Sequence, residues 1–367
     1  MNASASPLAQ EAAVPSGARP HPRLEVLVAL LLAIAIAGVF WGVQRYPSLL
    51  KKLHSGERLH VAGAISFDAV LKVTPSMPLP VRIGRTTVNW LWTNRFGMYF
   101  ALPFGAAAMT ALGLRKQAKR KGFRSAAANV ACGALMGAPA GVCTNCATPI
   151  AQSLLVSGVS TRMTLAAMIS SPSFNPVVIA MAVALLPWRI AAARILAPAI
   201  LLLLLPLLVK ERDFQLKTLS LDEEPKPLAQ RIRELAVNYA RNLLRLTLLT
   251  LPWMLLAAVL GAVTVEVFPS YATAIPVSGW GIVVVSILGT LLPVPMAFDV
   301  ALAWVLYRAG VPQAYVAALV CTLGVVSVYS LFAVGQQLGR RVPLRLATAA
   351  AALGCMAGFA ILLTHSV

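Results

Sequence analysis

The sequence predicts an all-α, polytopic helical membrane protein of about ten or eleven spans, on three observations. The first is composition: 59% of the 367 residues are hydrophobic and only 12% are charged, where a soluble domain carries roughly 25% charged residues. The second is continuity. Apolar runs lie near 24–43, 96–114, 125–141, 143–159, 163–186, 188–209, 243–264, 278–292, 295–309, 314–335 and 344–364, and none alternates at period two as a transmembrane β-strand does. The third is charge placement. The 31 Lys and Arg outnumber the 12 Asp and Glu, giving +19, and they cluster between the apolar runs as cytoplasmic loops do. Without a soluble basic domain this charge does not indicate nucleic acid as a partner. The partner it indicates is the lipid bilayer.

In chain order, residues 1–23 read as a disordered tail and 24–44 as an anchor helix, starting too late and running too long for a cleaved signal peptide. Residues 45–95 read as an extracytoplasmic loop, 96–209 as a first transmembrane repeat, 210–242 as a cytoplasmic linker and 243–364 as a second repeat. Within the linker Leu228, Ile232, Leu235 and Tyr239 recur at helical spacing opposite Arg231 and Arg241. That is the pattern of an amphipathic helix on the membrane surface. The basic stretches Arg115–Arg124, Lys210–Arg245 and Arg340–Arg345 all face the cytoplasm if even numbers of crossings separate them. Trp90, Trp92 and Tyr99 read as an interfacial aromatic belt. The location that follows is a bacterial inner membrane, crossed many times.

The two repeats rest on self-similarity at an offset of 152 residues. Gly137 falls on Gly289, Gly158-Val159 on Gly310-Val311, Ala166 on Ala318 and Arg189 on Arg341. Each repeat holds five spans, an odd number, with one cytoplasmic connector between them, so the repeats have inverted topology. Inverted repeats place a solute site near the midplane, where broken helices of the two halves meet.

Two pairs of matching segments carry the helix breakers. Gly137 to Pro149, with Pro139 and Gly141, pairs with Gly289 to Asp299, with Pro293 and Pro295; Ser170-Ser171-Pro172-Ser173-Phe174-Asn175-Pro176 pairs with the stretch around Gly324 and Ser327. Proline removes a backbone donor, and in lipid the freed groups must be buried in protein or line a cavity. The candidate solute-binding residues are therefore Cys143, Thr144, Asn145, Cys146, Pro149, Ser171, Pro172, Asn175, Pro176 and Ser327. The alternative role for the hydroxyls is to satisfy carbonyls freed by the prolines. Each broken segment reads equally as two spans or as a hairpin.

Asp299 is the only acidic residue inside an apolar run; Glu25 and Glu266 sit at run ends. An intramembrane carboxylate is costly and commonly serves a proton relay or a solute contact, which makes Asp299 the candidate for coupling to protons. Cys143 and Cys146 form the only C-x-x-C. With no second such pair a structural zinc site is not expected, but two thiolates suit soft metals and trivalent arsenic. No phosphate-binding G-x-x-x-x-G-K-[ST] loop and no dinucleotide fingerprint occur. The reading is a transporter rather than an enzyme, without cofactor or resident metal, and its oligomeric state is left open. The alternative is a membrane thiol–disulfide electron carrier using the C-x-x-C pair.

The stretch from Gly141 to Pro176, G-V-C-T-N-C-A-T-P followed by S-S-P-S-F-N-P, resembles the bacterial predicted-permease family that includes organoarsenical efflux permeases. Cys143, Pro149, Gly158, Pro172, Asn175 and Pro176 fall at that family's motif places. The resemblance implies a permease, with trivalent methylarsenic or another soft metalloid as a possible cargo. The family commonly reads C-S-C-G where this chain reads C-T-N-C-A. The second thiol is thereby shifted by one residue, a turn of about 100° on a helix.

Overall fold

The computed structural model describes residues 23–47, 50, 70–113, 122–211, 227–272, 277–294 and 298–365. The expected tail before Arg23, most of the loop before Val70, the basic residues 115–121, the Asp222–Lys226 part of the linker, and Pro295 lie outside the described residues. Among the described residues every element is helical.

The helices are α1 (Arg23–Phe40, continued by a π-helical turn at Trp41–Arg45), α2 (Leu79–Gly113), α3 (Ala126–Ala140), α4 (Thr144–Val156), α5 (Thr161–Ser173), α6 (Pro176–Leu185), α7 (Trp188–Leu208), α8 (Leu228–Ala272), α9 (Gly279–Leu291), α10 (Phe298–Arg308), α11 (Gln313–Thr322), α12 (Val328–Leu338) and α13 (Arg341–His365). Among the described residues four helices are long and apolar enough to cross a membrane: α1, α7, α8 and α13. The α5–α6 pair makes a fifth, bent by 42° at its break. The remaining runs read from sequence as spans are helical but shorter. At 1.5 Å per residue α3 and α4 reach only about 20 Å, against roughly 30 Å of hydrocarbon.

Glycine contacts show what the short helices do. Gly133 lies against the Met163 carbonyl and Ala166, and Gly137 against Ala167 and Ser170. Helices α3 and α5 therefore run in the same direction, and α4 between them runs back. Gly122, before α3, sits against Ser160, after α4, which closes the base. So α3 and α4 form a hairpin with its tip at Gly141–Cys143. In the second half Gly281 meets Tyr315 and Gly289 meets Thr322, so α9 and α11 are also parallel and α9–α10 is a second hairpin.

Helices α2–α7 fall on α8–α13 at an offset of about 152 residues, the separation of Thr161 from Gln313 and of Pro176 from Val328, which open matched helices. The turns closing the hairpins match atom for atom. Gly158 (φ 75°) and Gly310 (φ 82°) are both left-handed. Gly158 N donates to Leu155 O and Val159 N to Leu154 O; Gly310 N donates to Tyr307 O and Val311 N to Leu306 O. This paired pattern is a helix C-cap that favours glycine. Most of the short helices also start on side-chain caps from Ser125, Cys143, Ser160, Asn175, Ser278 and Ser327, which satisfy amides left open at helix starts.

Helices α2 and α8 are antiparallel. Arg82 Nη2 meets Glu266 Oε2 at 2.5 Å, Thr86 Oγ1 donates to Glu266 Oε1 at 2.7 Å, Trp90 packs on Met254 and Ala258, and Asn242 Nδ2 donates to Thr110 Oγ1 at 3.0 Å. Arg231 Nη2 pairs with Glu25 Oε1 at 2.5 Å and ties the start of α8 to that of α1. Three features differ from the sequence reading. Helix α2 begins at Leu79 and not near Phe96, because polar Thr86 and Asn89 are buried against protein. Trp90 is 1% exposed, a core residue rather than a belt residue. The amphipathic segment from Leu228 and the following span are one 45-residue helix.

Close α3–α5 packing has a testable consequence. Gly137→Ala drives a Cβ into α5 backbone and should cost about 1–3 kcal/mol, read as a lowered thermal midpoint in detergent. Gly84→Ala on α2, with nothing within 4 Å, should leave the midpoint unchanged or raise it.

Candidate functional site

The tip of the first hairpin is braced by its own half. Gly141, left-handed at φ 59°, ends α3. Its carbonyl accepts from Asn175 Nδ2 at 3.0 Å, while Asn175 Oδ1 caps α6 through Val177 N at 3.0 Å. Ser171 Oγ accepts from Val142 N at 3.1 Å and also lies 3.4 Å from Val142 O. Pro172 lies inside α5 and Pro176 opens α6, where its missing N–H costs nothing. Ser171 thus satisfies backbone at the first tip, and Asn175 satisfies backbone there and at the α5–α6 break at once.

Cys143 caps α4, its sulfur accepting from Cys146 N at 3.3 Å. The two sulfurs stand 2.8 Å apart in buried, free cysteines. Gly97 of α2 leaves the room that Cys146 Sγ occupies. Pro149 interrupts α4 one turn further on.

Beyond the sulfurs the tip reaches the other half. Thr144 Oγ1 donates to Gly324 O, in the break between α11 and α12. Ser327 Oγ donates to Asn145 Oδ1 at 3.1 Å; Ser327 caps α12 in a reciprocal capping box with Ser330. Asn145 is fully buried and its Nδ2 has no partner. An unpaired buried donor costs about 1–3 kcal/mol, so the junction holds an open hydrogen-bonding position.

The second hairpin meets the same point from the other side. A Cβ at Gly324 would lie 3.6 Å from Asp299 Oδ2, at the start of α10. Asp299 in turn accepts two hydrogen bonds on Oδ2 from Arg194 of α7, Nε at 2.9 Å and Nη2 at 2.6 Å. Arg194 is 2% exposed and Asp299 3%. Arg194 Nη1 is buried without a partner. Gly324 is therefore where the first tip, the second break and the second tip converge, and the packing of α4 on α12 is mirrored by that of α6 on α10.

The structure brings Cys143, Thr144, Asn145, Cys146, Ser171, Asn175 and Ser327 into one connected group, and sets Asp299 beside it through Gly324. Sequence reasoning missed Arg194. The signal was present: an arginine inside the apolar run A-A-A-R-I-L-A-P is as costly as an aspartate in one. Among the described residues no three His, Cys, Asp or Glu side chains gather as a metal site.

Removing one partner of the Arg194–Asp299 pair leaves a bare buried charge. Arg194→Met or Asp299→Leu alone should each destabilise by roughly 3–5 kcal/mol. The double variant should recover most of that, read as thermal midpoints of the purified proteins; equal losses in all three would show that the pair is not coupled.

Residues 105–362 match the sequence profile of the predicted permease family ArsP_1. The chain is 32% identical over 202 residues to UPF0718 protein YraQ of Escherichia coli (strain K12). That alignment covers 54% of this chain and 58% of the relative, so the match spans less than two thirds of the relative's length. No solved structure matches. The matched profile spans both hairpins, both helix breaks and the Arg194–Asp299 pair, and the chain is a multi-pass membrane protein of the predicted permease family.

Proposed function

We propose that this protein is a secondary transporter of the inner membrane that moves a small solute through the junction at Gly324. The single observation that carries the reading is the convergence there of buried polar groups from both halves, with Asn145 Nδ2 left open. The matched helix boundaries, the matched turns at Gly158 and Gly310 and the antiparallel α2 and α8 support two halves of inverted topology. In such a transporter one half rocks against the other around a fixed midplane site. Here the rocking elements are the hairpins, because their tips make cross-half hydrogen bonds that can break and re-form.

The two sulfurs at the first tip favour a soft cargo, such as a trivalent organoarsenical or another metalloid moved outward. Asp299 carries the coupling proton. Arg194 donates two hydrogen bonds to its carboxylate, and loss of that contact lets the second hairpin shift against α7. A second reading, a thiol–disulfide electron carrier, draws on the same sulfurs, 2.8 Å apart at a helix N-terminus. Alkylation mass shifts before and after reduction separate the two, since only the carrier cycles with a thioredoxin-like partner.

The test is uptake of trivalent methylarsenic into everted vesicles. The parent should accumulate it and the Cys143→Ser, Cys146→Ser double variant should not. Uptake that survives the substitution discards the thiol site and keeps the permease. Asp299→Asn should insert normally and lose the dependence of uptake on a proton gradient; full gradient-driven uptake in that variant refutes the coupling role.

A further inference from the structure

A cleft runs between the two arms of the first hairpin and against α1, α2 and α5, reaching Val142 and Ser171 behind the tip; what is inferred for it does not rest on the transport reading. Its volume is about 540 Å³. Close-packed interiors leave few voids larger than a water molecule, whereas drug-sized ligands occupy roughly 300–1,000 Å³. The cleft extends from the hairpin base, at Phe123 and Val159, to the tip, at Ala140 and Val142. The arms that bound it are about 20 Å long. No charged side chain lines it, and of its two hydroxyls, Thr164 and Ser171, the second is engaged with Val142. An apolar chamber of this kind does not hold water.

Two features say what fills it. Its open side is lateral. Leu30 of α1 and Met136 of α3 both line the cleft and are 39% and 52% exposed, while α1 packs along α2 and α8 and makes no extended contact with α3. The slot between α1 and α3 therefore faces the surroundings of these helices, which in a bilayer are acyl chains. The polar groups, moreover, are at one end. Thr164 lies in the first turn of α5, near the base, with Oγ1 buried and unpartnered, and exposed Arg124 follows Phe123, which lines the base end of the cleft. An apolar channel with one hydroxyl donor near its base end and a cation beyond that end matches a phospholipid in that order: chain, ester carbonyl, phosphate.

We infer that the cleft between α3 and α4 is a lipid site. It takes one acyl chain of an anionic phospholipid, whose ester carbonyl accepts from Thr164 Oγ1 and whose phosphate lies at Arg124. The chain supplies the packing that the splayed arms do not supply to each other.

The experiment reconstitutes the full-length protein in vesicles of phosphatidylethanolamine and phosphatidylglycerol containing a trace of phosphatidylglycerol with a diazirine at its chain end. After irradiation, cross-linked peptides are mapped by mass spectrometry. The expected result is cross-linking within Ala147–Leu154, lost in Ala108→Trp and in Cys132→Phe, which fill the cleft from opposite walls. Cross-linking to lipid-facing Leu203 of α7, 77% exposed, stays unchanged in both and serves as the control. Absence of cross-links at Ala147–Leu154 in the parent, or their persistence in both variants, overturns the lipid site. So does their displacement by trivalent methylarsenic, which would make the cleft a solute path instead. Since the parent map alone is decisive, a variant that fails to fold does not protect the inference, and loss of methylarsenic transport elsewhere does not touch it.

Discussion

A broken helix inside a bilayer exposes backbone groups that lipid cannot satisfy, and each unpaired group costs several kcal/mol. The architecture follows from how those groups are paid for. Asn175 closes the Gly141 carbonyl and the α6 amide together, Ser171 closes Val142, and Cys143 closes α4. The remaining demand, at Gly324 and Ser327, is met by Thr144 and Asn145 of the opposite half. The halves are therefore joined by the same hydrogen bonds that stabilise their breaks. Any group that separates the halves must replace those bonds, which is why the proposed solute path lies at this joint.

The halves are alike in backbone and unlike in charge. At the 152-residue offset, the positions of Arg194 and Asp299 correspond to Leu346 and Ala147, both apolar and buried. One hairpin is therefore held to its neighbour by a buried ion pair and the other by hydrogen bonds and packing alone. The asymmetry places the buried ion pair at the second hairpin and the two thiols at the first.

Much of this was legible in the sequence because glycine and proline constrain backbone directly. Gly158 and Gly310 mark matching left-handed caps, and Pro176 marks the start of a helix that Asn175 caps. Crossing and hairpin could not be separated from sequence, because apolar runs of 15 to 17 residues fit both. What separates them is the contact of Gly133 and Gly137 with α5, a tertiary fact. The start of α2 was misplaced because burial in protein, not in lipid, tolerates Thr86 and Asn89. Arg194 was overlooked because basic residues were read as topology signals, although this one lies 2% exposed in the middle of α7.

The central claim is that the cross-half contact at Asn145 and Ser327 opens during transport. The most direct measurement introduces Asn145→Cys together with Ser327→Cys, verifies the cross-link by mass spectrometry, and compares methylarsenic uptake by everted vesicles in the oxidised and reduced states. The account predicts uptake in the reduced protein, none once the two positions are linked, and recovery on reduction. Linked protein that transports at the reduced rate would contradict it.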